Sequence, residues 1–129
     1  MNFLIDTHVF LWYIQASNQL SQNAASTLEN TDNKLYFSIA SLWEIAIKLG
    51  LGKLKLNNPF HELEALLARL SIEILPIAFA DTETYLSLPL HHRDPFDRIL
   101  IAQAINRSLP VITADSAFDA YAIDRVWLC

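Results

Sequence analysis

The feature of this chain that most restricts its fold is the alternation of short, mostly apolar segments with segments of helical periodicity. Segments that are apolar on both faces are typical of strands buried inside a parallel sheet. The strand candidates are 2–5, 35–39, 72–77, 109–113 and 125–128, and the helical candidates are 8–14, 21–28, 41–49, 58–70, 81–88, 94–106 and 116–121. This order predicts an α/β fold with helices on both faces of a central parallel sheet, a three-layer α/β/α sandwich.

Length and composition are those of one globular domain, 1–129. A hydrophobic fraction of 53% predicts a generous core, and only two glycines oppose a disordered or turn-rich chain. The apolar runs are shorter than the roughly 20 residues of a membrane span, and the first residues lack the basic region of a signal peptide. The single cysteine, Cys129, leaves no internal disulfide and favours a reducing compartment. We therefore expect a cytoplasmic protein with no membrane contact.

The charge balance restricts the ways in which this chain can bind nucleic acid. With 14 acidic and nine basic residues the formal charge is −5, the wrong sign for binding that rests on counterion release. A nuclease is not excluded, because carboxylates that hold metal ions carry negative charge in the metal-free chain. The positions of the acids therefore matter more than their number.

Four acidic residues fall where a parallel sheet places its ligands. Asp6 ends the first predicted strand, and Asp115 follows the fourth. Glu44 lies in the helix after the second strand, and Asp97 lies in the first turn of the helix before the fourth. Ligands of open parallel sheets bind beyond the carboxyl ends of the strands, so the four carboxylates can converge on one rim.

Each acid also has a structural explanation that spacing alone leaves open. An aspartate after a strand often caps a helix or closes a turn. Ser41 and Glu44 have the spacing of a capping box. Asp94 has the position of a helix cap before a proline, and the helix dipole by itself favours an acid at Asp97.

Taken as a set, the four acids have the chemistry of a divalent-metal centre. Mg²⁺ and Mn²⁺ choose carboxylate oxygens and keep several waters. Two such ions held roughly 4 Å apart can activate a water and stabilise the leaving oxygen of a phosphodiester. Cleavage of a phosphodiester by this route needs little from the protein beyond converging carboxylates.

The segments around these acids are similar to the motifs of a known family. They read LIDTHVFLW, SIASLWEIAIKLGLGKL, HHRDPFDRILIAQA and VITADSAF. In this order and approximate spacing they resemble the PIN domains, and among these the VapC-like toxins of bacterial toxin–antitoxin pairs. The resemblance covers nearly the whole chain, and its most specific part is an acid at the head of DRILIAQA.

The resemblance implies both a fold and a function. It implies a single PIN-like domain with Mg²⁺- or Mn²⁺-dependent endoribonuclease activity, using one or two ions. The family's acidic positions fall on Asp6, Glu44, Asp97 and Asp115 as catalytic and metal-ligating residues, with Asp6 and Asp97 the firmest ligands. It also implies an RNA substrate, a homodimer, and a cognate antitoxin that blocks the site.

Several polar residues near the acids are candidates for supporting roles. Ser38, Ser41 and Thr113 lie near the motif acids. For Ser38, capping of the following helix is favoured over holding a metal-bound water. For Lys48, an i, i+4 ion pair with Glu44 is favoured over a phosphate contact.

Other residues invite a functional role that simpler explanations compete with. Arg98 points away from Asp97 around its helix, so we expect it to pair with another acid. His8, His91 and His92 flank the acids without the spacing of a zinc site. The aromatic residues of the helical segments are expected in the core rather than as base-stacking platforms: Trp12, Trp43, Phe96 and Phe118. The leucines of 49–56 and 63–70 fit either a dimer face or the core.

Two other functional classes compete with a ribonuclease. Aspartyl-phosphate proteins also place aspartates at strand ends, but here Asp6 is followed by Thr7-His8 rather than by a second acid two residues later. The lysine that a receiver needs after its fifth strand is also missing from 125–129. The second class is a non-catalytic PIN-fold module that binds RNA or protein, against which the presence of all four acids argues.

Overall fold

The computed structural model describes residues 1–127 and is built around five short parallel strands. The strands are Asn2–Ile5 (β1), Lys34–Ser38 (β2), Ile72–Leu75 (β3), Val111–Ile112 (β4) and Arg125–Val126 (β5). The helices are Thr7–Ile14 (α1), Gln22–Glu29 (α2), Ile39–Gly50 (α3), Leu63–Arg69 (α4), Phe79–Ser87 (α5) and Pro95–Arg107 (α6), with 3₁₀ turns at Phe60–Glu62 and Ser116–Ala120. Within this part of the chain no helix is long and apolar enough to cross a membrane.

The strand order β3-β2-β1-β4-β5 determines where a ligand can bind. From β1 the chain first builds outward through β2 and β3, and then returns to place β4 on the other side of β1. The connections after β1 and β4 therefore leave toward opposite faces of the sheet. A crevice opens between them beyond the carboxyl ends of the strands, which is the usual binding position in sheets of this kind.

Side chains of β1 alternate between two hydrophobic clusters on opposite faces of the sheet. Phe3 and Ile5 belong to the cluster that α1, α3 and α4 cover, whereas Leu4 belongs to the cluster covered by α6 and the second 3₁₀ turn. The ring centroids of Phe10 and Phe37 lie 4.3 Å apart in the first cluster. The three-layer α/β/α architecture predicted from the sequence is confirmed.

The boundary between β2 and α3 differs from the prediction, and the difference matters for the site. The strand ends at Ser38 rather than at 39, and the helix begins at Ile39 rather than at 41. Ser38 caps this helix, because its hydroxyl accepts the N–H of Ala40 at 3.0 Å. Glu44 then lies in the second turn, and the capping box suggested by Ser41 and Glu44 is wrong.

Other boundaries also differ from the sequence prediction. The third strand ends at Leu75 rather than at 77, and the helix predicted from 58 begins at Leu63 after a 3₁₀ turn. The fourth strand is shorter than 109–113 and covers only Val111–Ile112. The helix α5 begins at Phe79 rather than at 81, with Asp81 inside its first turn. The predicted fifth strand, 125–128, is observed at Arg125–Val126, and its last position lies outside the described residues.

An ion pair between a buried aspartate and a partly exposed arginine joins α5 to α6. Asp81 is fully buried and accepts hydrogen bonds from both Nη atoms of Arg107, at 2.7 and 3.0 Å. It also accepts the amide of Asn106 at 2.9 Å and the backbone N–H of Ala78 at 2.7 Å. Burial would raise the pKa of Asp81, but these donors together hold it below its usual value. The carboxylate is therefore ionised, and its role is to fix one helix against the other.

Arg98 does not pair with an acid, contrary to the prediction from its position beside Asp97. Arg98 is buried, and its guanidinium carbon lies 4.7 Å from the centroid of the Tyr85 ring. Its Nη atoms donate to backbone carbonyls. The acceptors are the carbonyls of Tyr85, Leu88, Pro89 and His92. Arg98 thus holds the loop between α5 and α6 in place just before Asp94.

Replacement of Ser108 by glycine should stabilise the protein. Ser108 ends α6 in the left-handed conformation, at φ 53° and ψ 43°, which disfavours side chains with a Cβ. We expect the free energy of unfolding to rise by about 0.5–1 kcal/mol in urea denaturation. Ser26→Gly, in the middle of α2, is the matched control and should lower it by about 0.5–1 kcal/mol. Destabilisation by both changes would contradict this account of the α6 terminus.

Candidate metal centre

Asp6 lies at the carboxyl end of β1, inside the crevice between β1 and β4. It is 4% exposed, and its side chain makes no capping hydrogen bond to α1. Its Oδ2 accepts the hydroxyl of Thr113 at 2.9 Å, whereas its Oδ1 is buried and has no hydrogen-bond partner. The turn or cap role that the sequence left open for Asp6 is therefore not observed.

Glu44 reaches the same rim from the second turn of α3. It is 3% exposed, and Lys48, one turn later, donates its ammonium to Oε2 at 2.8 Å. The i, i+4 ion pair predicted for Lys48 is confirmed. The second oxygen, Oε1, is buried without a hydrogen-bond partner, as in Asp6. A buried carboxylate oxygen without a donor is costly to a folded protein unless a cation satisfies it.

The first turn of α6 brings Asp97 to the rim. Asp94 caps this helix, as predicted: its Oδ1 accepts the N–H of Phe96 at 2.8 Å and that of Asp97 at 3.3 Å. Because Asp94 provides the cap, the carboxylate of Asp97 is not needed for it. Asp97 Oδ2 instead lies 3.0 Å from Nε2 of His92.

Asp115 has the structural role that its position after a strand suggested, and it also faces Asp97. Its Oδ1 accepts the N–H of Ala117 and caps the 3₁₀ turn, while its backbone N–H donates to the hydroxyl of Thr113 at 3.0 Å. Its Oδ2 lies 3.4 Å from Nε2 of His92. Asp115 is the exposed member of the set, with 44% of its side chain accessible.

The pKa shifts indicate that the charges of the four acids act on one another. Burial raises the pKa of Asp97 to about 8, helped by the negative charges of Asp6, Asp94, Glu44 and Asp115. Burial also raises the pKa of Asp6, with a smaller contribution from Glu44, against the hydrogen bond from Thr113. Like charges gathered in a buried place disfavour full ionisation. The structure thus brings together the four residues singled out from the sequence.

The residues present fit a divalent cation. Among residues 1–127, Asp6 Oδ1 and Glu44 Oε1 are buried without a hydrogen-bond partner, although the backbone N–H of Thr7 and the hydroxyl of Thr113 both lower the pKa of Asp6. The charge of Glu44 repels that of Asp6. His92, Asp97 and Asp115 also place nitrogen and oxygen atoms within 4.8 Å of one another. Carboxylate oxygens with open positions suit Mg²⁺ or Mn²⁺. Asp6 and Glu44 together with Asp97 would hold the ion, and Asp115 borders them.

The raised pKa of Asp97 makes the stability of the metal-free protein depend on pH. The folded protein keeps a proton that the unfolded chain loses, so stability falls as the pH rises from about 3.8 to about 8. In EDTA, Asp97→Asn should therefore be more stable than the parent at pH 8 by roughly 1–2 kcal/mol, and the difference should shrink at pH 5. Urea denaturation at both pH values measures this. If Asp97→Asn is less stable than the parent at pH 8, the negative charges around Asp97 do not destabilise the folded protein as we expect.

The hydroxyl residues near the acids are fixed by short hydrogen bonds. Thr113 bridges Asp6 and the backbone of Asp115, which accounts for its proximity to the motif acids. Ser41 is buried and accepts the hydroxyl of Thr7 at 2.7 Å, so it ties α1 to α3 rather than facing the acids directly. The only sequence signal for Thr7 is its position directly after Asp6.

The places of His92 and Trp43 in the structure differ from those that the sequence indicated. His92 was one of three histidines without distinguishing spacing, and the structure places it between two of the acids. Its position two residues before the helix cap, Asp94, is the signal that could have singled it out.

Trp43, predicted in the core, is 62% exposed, whereas Phe118 is fully buried as expected. Trp43 packs edge-on against the ring of Phe96 at 5.3 Å.

Comparison with known proteins assigns the family. The model of the PIN domain matches residues 3–124, and the chain therefore belongs to the PIN domain family. No curated protein sequence gives a significant match.

Solved structures with a similar fold come from several bacteria. VapBC2 from Rickettsia felis, bound to a DNA fragment from its promoter, has a TM-score of 0.73 at 18% identity, with 98% of both chains covered. DNA-bound VapBC from Salmonella typhimurium has a TM-score of 0.71 at 19% identity, covering 100% of this chain and 99% of that chain. FitAcB from Neisseria gonorrhoeae has a TM-score of 0.65 at 21% identity, covering 97% and 96%. At these identities the likeness is one of fold.

Proposed function

We propose that this PIN-domain protein is a metal-dependent endoribonuclease. The observation that carries the proposal is the pair of buried carboxylate oxygens, Asp6 Oδ1 and Glu44 Oε1, left without donors beside Asp97. Folded proteins rarely leave such atoms without a hydrogen-bond donor, an ordered water or an ion. The four acids are the residues that we assign to the metal centre and to catalysis.

Each residue of the site has a definable part in this chemistry. A bound divalent ion would supply a water of lowered pKa and neutralise charge on the phosphodiester. Asp6 and Glu44 would hold the ion with Oδ1 and Oε1, while Thr113 and Lys48 fix their other oxygens. Asp97 would add a carboxylate from α6.

The negative charge of the site makes binding of a nucleic acid depend on metal ions. The acids of the site repel a phosphate backbone until a cation offsets their charge. Lys48 lies beside Glu44, and its own pKa is raised first by that hydrogen bond and also by the charges of Asp94 and Asp97. The ammonium therefore partly neutralises the rim, rather than binding a distant phosphate.

RNA cleavage by the purified protein tests the proposal. Cleavage should appear in Mn²⁺ or Mg²⁺ and disappear in EDTA. Cleavage that continues in EDTA would contradict a metal mechanism. Retention of RNA without cleavage in either metal would instead support the non-catalytic binding module.

We also propose that the chain is the toxin of a toxin–antitoxin pair and acts in the cytoplasm. The support is the resemblance of its motifs to VapC-like toxins, together with solved VapBC complexes that share its fold. Its partner would then be an antitoxin that covers the acidic rim. Expression of the chain in a bacterial host should arrest growth, whereas expression of its Asp97→Asn variant should not, and growth unaffected by the parent chain would count against a toxin.

A homodimer is part of the same proposal, and of the two roles left open for the leucines their packing favours the core. The leucines of 63–70 are core rather than a dimer face, since Leu63 and Leu67 are buried and Leu66 and Leu70 pack against them. Of the leucines in 49–56, Leu49, Leu54 and Leu56 also pack on the core. The exposed large apolar side chains of α3 and α5 support a different face: Ile39, Trp43, Ile47, Phe79 and Leu86.

Trp43→Glu should convert the dimer to a monomer. Trp43 is the largest exposed apolar side chain on α3 and borders a groove of about 330 Å³ between α3, α5 and α6. A charge at the centre of an apolar interface costs enough to separate the subunits. Sedimentation velocity measures the change, and Phe60→Glu, on an exposed apolar residue outside both helices, is the control. If the Trp43→Glu variant is still a dimer, the interface does not include Trp43.

A further inference from the structure

The imidazole of His92 has defined partners at both ring nitrogens. Its Nδ1 accepts the backbone N–H of Asp94 at 3.2 Å. Its Nε2 lies 3.0 Å from Oδ2 of Asp97 and 3.4 Å from Oδ2 of Asp115. The ring also meets the face of Phe118 edge-on at 6.0 Å, and the side chain is only 16% exposed. His92 is therefore held in one orientation between two carboxylates.

The partner of Nδ1 determines what Nε2 can do. Because Nδ1 accepts a backbone N–H, its lone pair is occupied and the ring proton is on Nε2. A metal-ligating histidine has the opposite arrangement, in which the other ring nitrogen donates its N–H to a carbonyl or a carboxylate. His92 thus faces the acids with an N–H group rather than with a free lone pair.

The same arrangement occurs at the other two buried acids. One oxygen of Asp6 is fixed by Thr113 and one oxygen of Glu44 by Lys48, while the second oxygen of each lacks a donor. At Asp97 the corresponding neighbour is His92, whose Nε2 lies at ion-pair distance from Oδ2. A protein group therefore lies beside one oxygen of each of these three carboxylates.

We propose that His92 is a positioning residue of the metal centre, which holds Asp97 and Asp115 together through its Nε2–H group and is not itself a metal ligand. This inference rests on the proposed metal centre and adds to it a fifth side chain. Asp97 and Asp115 repel each other, and Asp115 has a largely exposed side chain. Without the shared N–H, the two carboxylates would separate and the metal-binding geometry would loosen.

The affinity for Mn²⁺ alone, measured by electron paramagnetic resonance titration, tests the role of His92. His92→Phe keeps an aromatic ring against Phe118 but loses the donor, and we expect about 10-fold weaker binding. His92→Gln places an amide N–H near the position of Nε2 and should recover affinity to within about three-fold of the parent. The neighbouring His91→Phe, on an exposed histidine that packs against Tyr121, should bind Mn²⁺ as the parent does.

The outcomes separate this inference from the proposed function. If the parent binds Mn²⁺ and all three variants bind it equally, the role of His92 is wrong while the metal centre stands. If the parent does not bind Mn²⁺ at all, the metal centre fails and the inference fails with it. Nitrogen hyperfine coupling to bound Mn²⁺ in the parent, lost in His92→Phe, would make His92 a ligand and overturn the positioning role.

A second measurement needs no variant and no metal. The long-range ¹H–¹⁵N spectrum of the metal-free protein reports which nitrogen of each neutral imidazole carries the proton. His92 should show the Nε2–H form, because Asp94 donates to Nδ1. The Nδ1–H form would contradict the hydrogen-bond pattern on which the inference depends.

Discussion

Asp97→Asn should reduce metal-dependent RNA cleavage by at least about 100-fold. In metal sites, loss of a residue that only hydrogen-bonds to a ligand already lowers affinity or activity by about 10- to 100-fold. The amide keeps the size and shape of the side chain but removes the negative charge and one metal-binding oxygen. Asp6→Asn should have the same effect through Oδ1, which is buried without a donor. Initial rates in Mn²⁺ with a labelled RNA measure both.

Asp94→Asn is the matched control for these two variants. It makes the same change of atoms and charge three residues from Asp97, and asparagine is as good a helix cap as aspartate. The carboxylate of Asp94 serves as the cap of α6. We expect cleavage within about three-fold of the parent, since only a neighbouring charge is lost. Equal loss in all three variants would mean that net charge, not a metal centre, determines the activity.

Asp81→Ala should lower the free energy of unfolding by about 2–3 kcal/mol, because it removes charge-assisted hydrogen bonds to a buried carboxylate whose partner, Arg107, is partly exposed. The change leaves the guanidinium of Arg107 without its carboxylate and the N–H of Ala78 without an acceptor. Since a domain of this size is stable by only about 5–15 kcal/mol, much of the population should be unfolded at elevated temperature. Urea denaturation at pH 7 measures the loss.

An exposed ion pair provides the comparison for Asp81. Asp119 accepts Nε of Arg125 at 2.9 Å, but its side chain is 55% exposed. Asp119→Ala should therefore cost less than about 1 kcal/mol. If the two alanine variants are destabilised equally, burial does not distinguish the pairs, and the role of Asp81 in joining α5 to α6 is wrong.

The architecture was predictable because it depends on coarse hydrophobic patterns. Strands such as β1 are apolar on both faces, and each is separated from the next by a helical segment, so the sequence determines a parallel sheet without any knowledge of contacts. The cap at Asp94 was predictable for a similar reason, since an aspartate before a proline has a local meaning at a helix start. The places of the acids after the strands followed from the same order.

The arrangement within the site was not predictable from spacing. The start of α3 differs from the prediction by two residues, and that difference decides whether Glu44 caps a helix or lies buried in its second turn. The environment of Glu44 depends on neighbours that are distant along the chain, as does that of Asp6, which Thr113 reaches from 107 positions away. His92 has Asp94 and Asp97 nearby in the sequence, but it meets Asp115, 23 positions further along, only in the folded chain.

Surface residues were the other source of error. Trp43 is a large apolar residue within an apolar helical segment, as core residues are, but it lies on the exposed side of α3. Periodicity shows that a helix has an apolar stripe and does not show whether the same chain covers that stripe. A helix with two apolar sides, one buried and one exposed, therefore gives the same pattern as one buried all round.

The central claim is that four acids, distant along the chain, form one metal centre. A crystal structure of the protein grown with Mn²⁺, with data collected at a wavelength where manganese scatters anomalously, tests it most directly. We predict an anomalous peak within about 2.0–2.3 Å of Asp6 Oδ1 and of a carboxylate oxygen of Asp97, the range for a hard divalent ion and oxygen. An anomalous map without a peak between these residues, at saturating Mn²⁺, would contradict the account.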